Sequence, residues 1–312
     1  MNAPLIPPRR TVLLSELGLF YAAAIWGSTF FIVKWAVGYV DPLALVAWRF
    51  AIASVLMAGW LLWLRRPLFR DFKPGLVLGL ILGLLYVAQT VGLVYTRASN
   101  SGFITGLFIV FVPLCAWLMY RRTPKLNHLL AVAVALIGLW LLTGGVQGVN
   151  VGDWITLASA VTYALHVLLA GEYMQRGADP VALNFQQILV TALFGLVMLT
   201  AFQRPLSVGS PAAWWVIVFL AVFPTVSAFV IQLFAQRVVD PARTSLIFTL
   251  EPVFAAAFAF TLGGEGIVPL RVLGGLLIVA AMLVSEVEWG WRGMVAARRP
   301  GHGGQAQEQR RD

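Results

Sequence analysis

Lys34, Arg49 and Glu251 are ionisable side chains set inside long apolar stretches, and any chemistry of this chain would have to run through residues of that kind. A charge at the centre of a bilayer costs on the order of 3 kcal/mol even on the mildest scale, so such residues mark a pathway, an ion pair or a relay. Glu251 is followed by Pro252 within the apolar segment 245–265, SLIFTLEPVFAAAFAFTLGGE. A proline inside a helix removes a donor and frees a carbonyl, so the segment should either open toward a ligand amine or simply kink. Ionised and paired with Arg49 or Lys34, Glu251 would be a static strut; unpaired, it would suit a proton carrier. Lys34 lies near the end of the first apolar span, where its stem can snorkel to the interface or its head can face a cavity. Arg49 is deeper and is expected to pair with a carboxylate or cap carbonyls.

Neutral polar groups accompany these charges. Trp26, Ser28 and Thr29 cluster in the first span, Tyr163 and His166 in the corresponding region of the sixth, and Gln89, Gln187 and Gln232 add amides from the third, seventh and eighth. These eight residues are the expected substrate pathway, with Pro113 and Pro252 as helix breaks. Neutral amides suit zwitterions or uncharged solutes, whereas a cavity for lipophilic cations relies on buried acids and aromatic faces. No catalytic constellation is present. His128, His166 and His302 lack metal-ligand spacing, Cys115 is the single cysteine, and no phosphate-binding glycine loop occurs, so no metal, cofactor or ATP is expected.

The elements that carry these residues are read from composition. The sequence is 60% hydrophobic and only 11% charged, with a mean hydropathy of +0.85, against roughly 25% charged residues in soluble domains. Apolar runs recur along the whole length, as in helices that satisfy their own backbone in lipid. Ten spans are expected, at 17–37, 43–64, 75–95, 101–120, 129–142, 154–170, 181–202, 214–235, 245–262 and 268–287. Trp60, Trp63, Trp154, Trp214, Trp215, Trp289 and Trp291 fall near span ends as interfacial anchors. Gly75, Gly79 and Gly83 give the third span a smooth face, expected to pack within its own half.

A net charge of +9 does not imply nucleic acid, because the basic residues are scattered among short loops. Arg9, Arg10, Arg65, Arg66, Arg70, Lys73, Arg121, Arg122, Lys125, Arg176, Arg237, Arg243 and the arginines of the C-terminal tail fall on one side of a ten-span drawing. Only Arg97, Arg204 and Arg271 fall on the other. Both termini are therefore assigned to the cytoplasm.

The chain also repeats itself. Asp41-Pro42 leads the second span and Asp179-Pro180 the seventh, Pro113 falls under Pro252 and Thr105 under Thr244, and LLAVAVALIGLWLL in the fifth span is similar to RVLGGLLIVAAMLV in the tenth. Five spans per half is an odd number, so the halves must be inverted relative to each other. That is the usual scaffold of secondary transporters, with the substrate site near the midplane. The expected organisation is a cytoplasmic tail at 1–12, five-helix repeats at 13–146 and 147–288, and a basic cytoplasmic tail at 289–312.

WGSTFFIVK in the first span, WRFAIA in the second, LEPVFAAAFAFTLGGE in the ninth and RVLGGLLIVAAM in the tenth resemble the EamA-type transporters of the drug/metabolite transporter superfamily. The resemblance spans nearly everything but the tails. It implies ten helices in two inverted halves and export or exchange of small metabolites such as amino acids. The chain departs from the family at Arg121-Arg122-Thr123-Pro124, where a Gly-Glu pair is frequent, and in carrying His166.

The sequence thus reads as an all-α polytopic membrane protein: a secondary transporter of the inner membrane, not an enzyme. Its partners would be a small-molecule substrate, membrane lipids and, with Glu251 unpaired, a coupled proton. Two complete halves in one chain make monomeric function possible. The rival readings are a multidrug exporter for lipophilic cations, favoured if Glu251 faces an aromatic cavity unmatched by Arg49 and Lys34, and a membrane-embedded lipid-handling enzyme or scaffold.

Overall fold

The computed structural model describes residues 8–70, 72–121, 123–145, 149–261 and 268–286, and the described residues are helical with no strand. The first half contains α1 (Arg9–Ala36), α2 (Pro42–Trp63), α3 (Phe72–Tyr95), α4 (Ala98–Gly106), α5 (Phe108–Tyr120) and α6 (Leu126–Thr143). The second contains α7 (Val151–Gln175), α8 (Pro180–Ala201), α9 (Pro211–Ala221), α10 (Ala228–Ala235), α11 (Pro241–Phe248), α12 (Glu251–Thr261) and α13 (Pro269–Glu286), with a π-helical turn at Val222–Ser227 joining α9 to α10. Eight stretches are long and apolar enough to cross a membrane, among them Asn100–Tyr120 and Pro211–Ala235 taken as single spans, and Pro269–Ala281 is a shorter apolar helix. The molecule is a multi-pass membrane protein. Arg122, Trp289, Trp291, His302 and the C-terminal arginines lie outside the described residues, as do residue 262 of the ninth expected span, the positions 263–267 that follow it and residue 287 of the tenth.

Helix starts are set by local chemistry. Asp41 accepts a hydrogen bond from the Leu43 amide at 2.9 Å and Asp179 one from the Val181 amide at 2.9 Å, each with a proline at the first helical position, where its missing donor is not needed. Asn150 and Asp153 form a reciprocal capping box at the start of α7. The helices α1 and α7 run beyond the apolar windows expected for them, because polar residues at their ends continue the same hydrogen-bonded turns.

The contacts repeat when the halves are exchanged. Asp41, which caps α2, bonds Arg204 just past the end of α8 at 2.7 Å, and Asp179, which caps α8, bonds Arg66 just past the end of α2 at 3.3 Å. The chain turns with a left-handed residue after both helices, at Arg65 (φ 52°) and Gln203 (φ 51°). The α2 helix packs on α8 and α6 on α13, while the contact of α3 with α7 is mirrored by that of α1 with α10. Such reciprocity, in which i meets j and j meets i, is the mark of a two-fold relation.

Two expectations about packing need correction. Gly75, Gly79 and Gly83 face the other half: a Cβ at Gly79 would stand 2.5 Å from the Cβ of Val190, and one at Gly83 would stand 2.8 Å from Phe194, both on α8. The glycines therefore seal the two halves together. The prolines, in turn, are not structural equivalents. The fourth span breaks at Leu107 (φ −62°, ψ −10°), six residues before Pro113, which lies inside α5; the ninth breaks at Thr249 (φ −62°, ψ −10°), three residues before Pro252. The breaks match and the prolines are out of register, because each span resumes its helix at a different distance from its own proline.

Candidate functional site

The break before α12 brings a carboxylate into the centre of the bundle. Helix α11 ends at Phe248, and α12 restarts at Glu251 with Pro252 at its second position, where no amide donor is required. Glu251 thus lies in the first turn of a helix, the end whose dipole favours an acid. Gly27 lets α1 reach this restart: a Cβ there would stand 2.5 Å from the Glu251 carbonyl oxygen and 2.9 Å from the Phe254 Cβ. The glycine of the WGST segment is thus needed for a close backbone approach.

Glu251 is buried and accepts one hydrogen bond, from the Tyr163 hydroxyl at 2.5 Å. It forms no ion pair among the described residues, with Arg49, Lys34 or any other cation. Tyr163 is held flat between Phe108 and Phe248, with ring centroids 4.4 Å and 6.2 Å away. Trp26 packs edge-on against Phe248 at 4.9 Å and tilts against Phe229 at 5.1 Å.

Opposite these groups stands Arg49, 4% exposed. Its Nε donates to Thr225 Oγ1 at 2.7 Å and its Nη2 to the Tyr86 hydroxyl at 3.3 Å, with the guanidinium 4.4 Å from the Tyr86 ring centroid. These contacts employ two of the five N–H groups of the guanidinium, and none is to a carboxylate. The π-helical turn makes them possible. Pro224 lacks the amide that an α-turn would use, and the widened turn lets Thr225 Oγ1 donate to the Leu220 carbonyl at 2.7 Å while accepting from Arg49. The carbonyl of Pro224 in the same turn accepts Trp26 Nε1 at 2.7 Å.

Together these residues enclose a small central cavity lined by Trp26, Thr29, Phe30, Leu85, Tyr86, Gln89, Tyr163, His166, Phe229 and Glu251. Its free space is about 20 Å³, room for roughly one water. The bundle therefore leaves little free space at its centre. A larger groove of about 930 Å³ lies beyond the tight crossing of α3 and α8, but it is mostly apolar, and its charged residues Asp41 and Arg204 are already paired. The central cavity, though far smaller, is where unspent polar chemistry collects.

Six expected pathway or charge positions meet at this cavity: Trp26, Thr29, Gln89, Tyr163, His166 and Glu251. Ser28 turns its hydroxyl back to the Ile25 carbonyl, Gln187 sits behind His166, and Gln232 donates to Gln236. Arg49 stands one side chain away, behind Tyr86. Lys34 does not line the cavity: its Nζ donates to the carbonyls of Leu93 at 2.6 Å and Thr96 at 3.0 Å, capping α3 where the helix dipole favours a cation. Thr96 in turn donates to Asp153 at 2.5 Å, which ties the ends of α1, α3 and α7 together. At the opposite end Arg243 and Glu16 join α11 to α1 at 2.6 Å. Sequence reasoning passed over Phe30, Tyr86, Thr225 and Phe229. A usable signal existed for two of them, since Tyr86 precedes Gln89, and Phe229 precedes Gln232, by three residues on one helix face.

A multi-pass bundle with a small central cavity lined by Glu251, His166 and Gln89 has the form of a solute transporter. The model of the EamA-like transporter family matches residues 13–144 and 150–286, and the chain belongs to that family. It is 31% identical over 280 residues to an uncharacterized transporter of Archaeoglobus fulgidus, covering 87% of this chain and 85% of that one. It is 28% identical over 280 residues to the uncharacterized inner membrane transporter YedA of Escherichia coli K12, covering 86% and 89%. With an S-adenosylmethionine/S-adenosylhomocysteine transporter of Chlamydia muridarum it shares 24% identity over 292 residues, covering 87% and 91%. A solved crystal structure superposes with a TM-score of 0.74 at 19% identity, covering 87% of this chain and 96% of the other, a likeness of fold.

Proposed function

We propose that this protein exports or exchanges small zwitterionic metabolites, amino acids above all, across the inner membrane. In this reading ten spans form two inverted five-helix halves with both termini in the cytoplasm, and the halves rock about the central cavity to expose it to one side and then the other. The observation that carries the substrate reading is the separation of Glu251 and Arg49: the acid lines the cavity, the guanidinium is buried one side chain behind its wall at Tyr86, and the two do not pair. A buried charge without a counter-charge is costly, and a zwitterion laid between them would supply both missing partners, ammonium to Glu251 and carboxylate to the Arg49–Tyr86 side. The Chlamydia relative named for S-adenosylmethionine and S-adenosylhomocysteine supports this, since both of those compounds carry an α-amino acid end. Glu251, with a tyrosine hydroxyl as its one hydrogen-bond partner, is also placed to give up or take a proton as substrate leaves or enters. One chain holds both walls of the cavity, so a monomer suffices.

The rival reading as an exporter of lipophilic cations also has an observation in its favour. Trp26, Phe30, Tyr86, Tyr163 and Phe229 surround Glu251, and neither Arg49 nor Lys34 pairs with it. What weighs against it is Arg49, which repels a ligand bearing only positive charge. Counterflow into proteoliposomes separates the two. Unlabelled amino acids should displace a labelled amino acid where tetraphenylphosphonium does not; displacement by the cation alone would replace the first reading with the second.

A further inference from the structure

His166 is fully buried on α7 at the cavity wall, and its Nε2 lies 2.9 Å from Gln187 Oε1. Which ring nitrogen carries the proton is decided by what stands behind Gln187. Gln187 Nε2 donates to Asn184 Oδ1 at 2.9 Å, and Asn184 Nδ2 donates to the Val226 carbonyl at 3.5 Å. A backbone carbonyl can only accept, so the amides are oriented in series: Asn184 turns its NH2 to Val226 and its oxygen to Gln187, and Gln187 turns its own oxygen to His166. The proton is therefore on Nε2. In the neutral imidazole this leaves Nδ1 with a bare lone pair, and Nδ1 is buried with no hydrogen-bond partner among the described residues. Three donors of the cavity wall are committed elsewhere: the Tyr163 hydroxyl to Glu251, Thr29 to the Trp26 carbonyl, and Trp26 Nε1 to Pro224. An orphaned buried acceptor is destabilising, and a donor on a bound solute would satisfy it.

We infer that His166 Nδ1 is a substrate-binding acceptor that selects amino acids carrying an O–H or N–H on the side chain. The inference rests on the amino-acid reading above, in which the ammonium and carboxylate occupy Glu251 and the Arg49–Tyr86 side and the side chain is left to meet α7. Threonine and valine make the test, because they share a shape and differ by a hydroxyl in place of a methyl. In competition counterflow the wild-type protein should favour threonine over valine roughly tenfold, the discrimination one buried hydrogen bond confers, and in His166→Phe the ratio should fall to about one. Nitrogen NMR of the histidine-labelled full chain in nanodiscs supplies a reading independent of the variant: His166 should show a protonated Nε2 and a bare Nδ1 whose resonance moves with threonine and stays put with valine.

Equal competition by the two amino acids in the wild type, an unchanged ratio in His166→Phe, or a proton found on Nδ1 would overturn the assignment of His166 and leave the amino-acid reading standing. Failure of both amino acids to compete would overturn both.

Discussion

A single methyl group added at Gly27 should disable transport. The structure puts the new Cβ 2.5 Å from the Glu251 carbonyl oxygen, 2.9 Å from the Phe254 Cβ and 3.1 Å from the Ala255 amide nitrogen. All three belong to the backbone or root of α12, so no side-chain rotation relieves the clash, and the start of α12 must retreat by roughly 1 Å to restore ordinary contact. Overpacking of that kind costs about 1–3 kcal/mol. The displaced element is the one that aims Glu251 at Tyr163 across 2.5 Å, and a misplacement of about 1 Å at a positioned group can reduce rate by roughly a hundredfold. Initial rates of amino-acid counterflow in proteoliposomes, read beside the thermal midpoint in detergent, check this. Gly59→Ala is the control, because a Cβ there meets nothing within 4 Å and alanine should stabilise the helix by up to about 1 kcal/mol. A Gly27→Ala protein that transports at the wild-type rate would refute the close approach of α1 to α12 and the positioning of Glu251 derived from it.

Two further substitutions test separate parts of the site. Glu251→Gln keeps the shape and still accepts the Tyr163 hydrogen bond, but it cannot exchange a proton; flux should lose its dependence on pH while the thermal midpoint changes little, and pH-dependent transport by this variant would dismiss the coupling role. Thr225→Val removes the acceptor that holds Arg49 Nε at 2.7 Å and leaves a buried charged donor unsatisfied, which should cost about 1–3 kcal/mol in a thermal or denaturant melt; a neutral substitution would show that the π-helical turn does not anchor Arg49.

Much of the architecture was legible in the sequence, and the reasons are physical. A bilayer forces each helix to satisfy its own backbone, so apolar length alone reveals the first eight of the expected spans. Asp41-Pro42 and Asp179-Pro180 marked both the helix starts and the duplication, since capping chemistry is local. Glu251-Pro252 stood out because an acid at membrane depth is costly to keep. What stayed hidden depends on which helix faces which. Gly75, Gly79 and Gly83 announced a close contact without naming α8 as the partner. Lys34 could be seen to need acceptors, yet the carbonyls of Leu93 and Thr96 are distant in sequence. The alignment of Pro113 with Pro252 misjudged the register because a helix can break several residues ahead of its proline. Pro224 was visible but unremarked, and its π-helical turn, which orients both Trp26 and Arg49, belongs to no apolar period.

The central claim is that one cavity, walled by both halves, opens alternately to the two sides of the membrane. Gln89 lines it from α3, and Cys115 is the single native thiol. A Cys115→Ser, Gln89→Cys protein in sealed proteoliposomes can therefore be challenged with a membrane-impermeant thiol reagent from either face. Labelling from both faces, slowed by a transported amino acid, is the predicted result; labelling confined to one face with and without substrate would contradict the account.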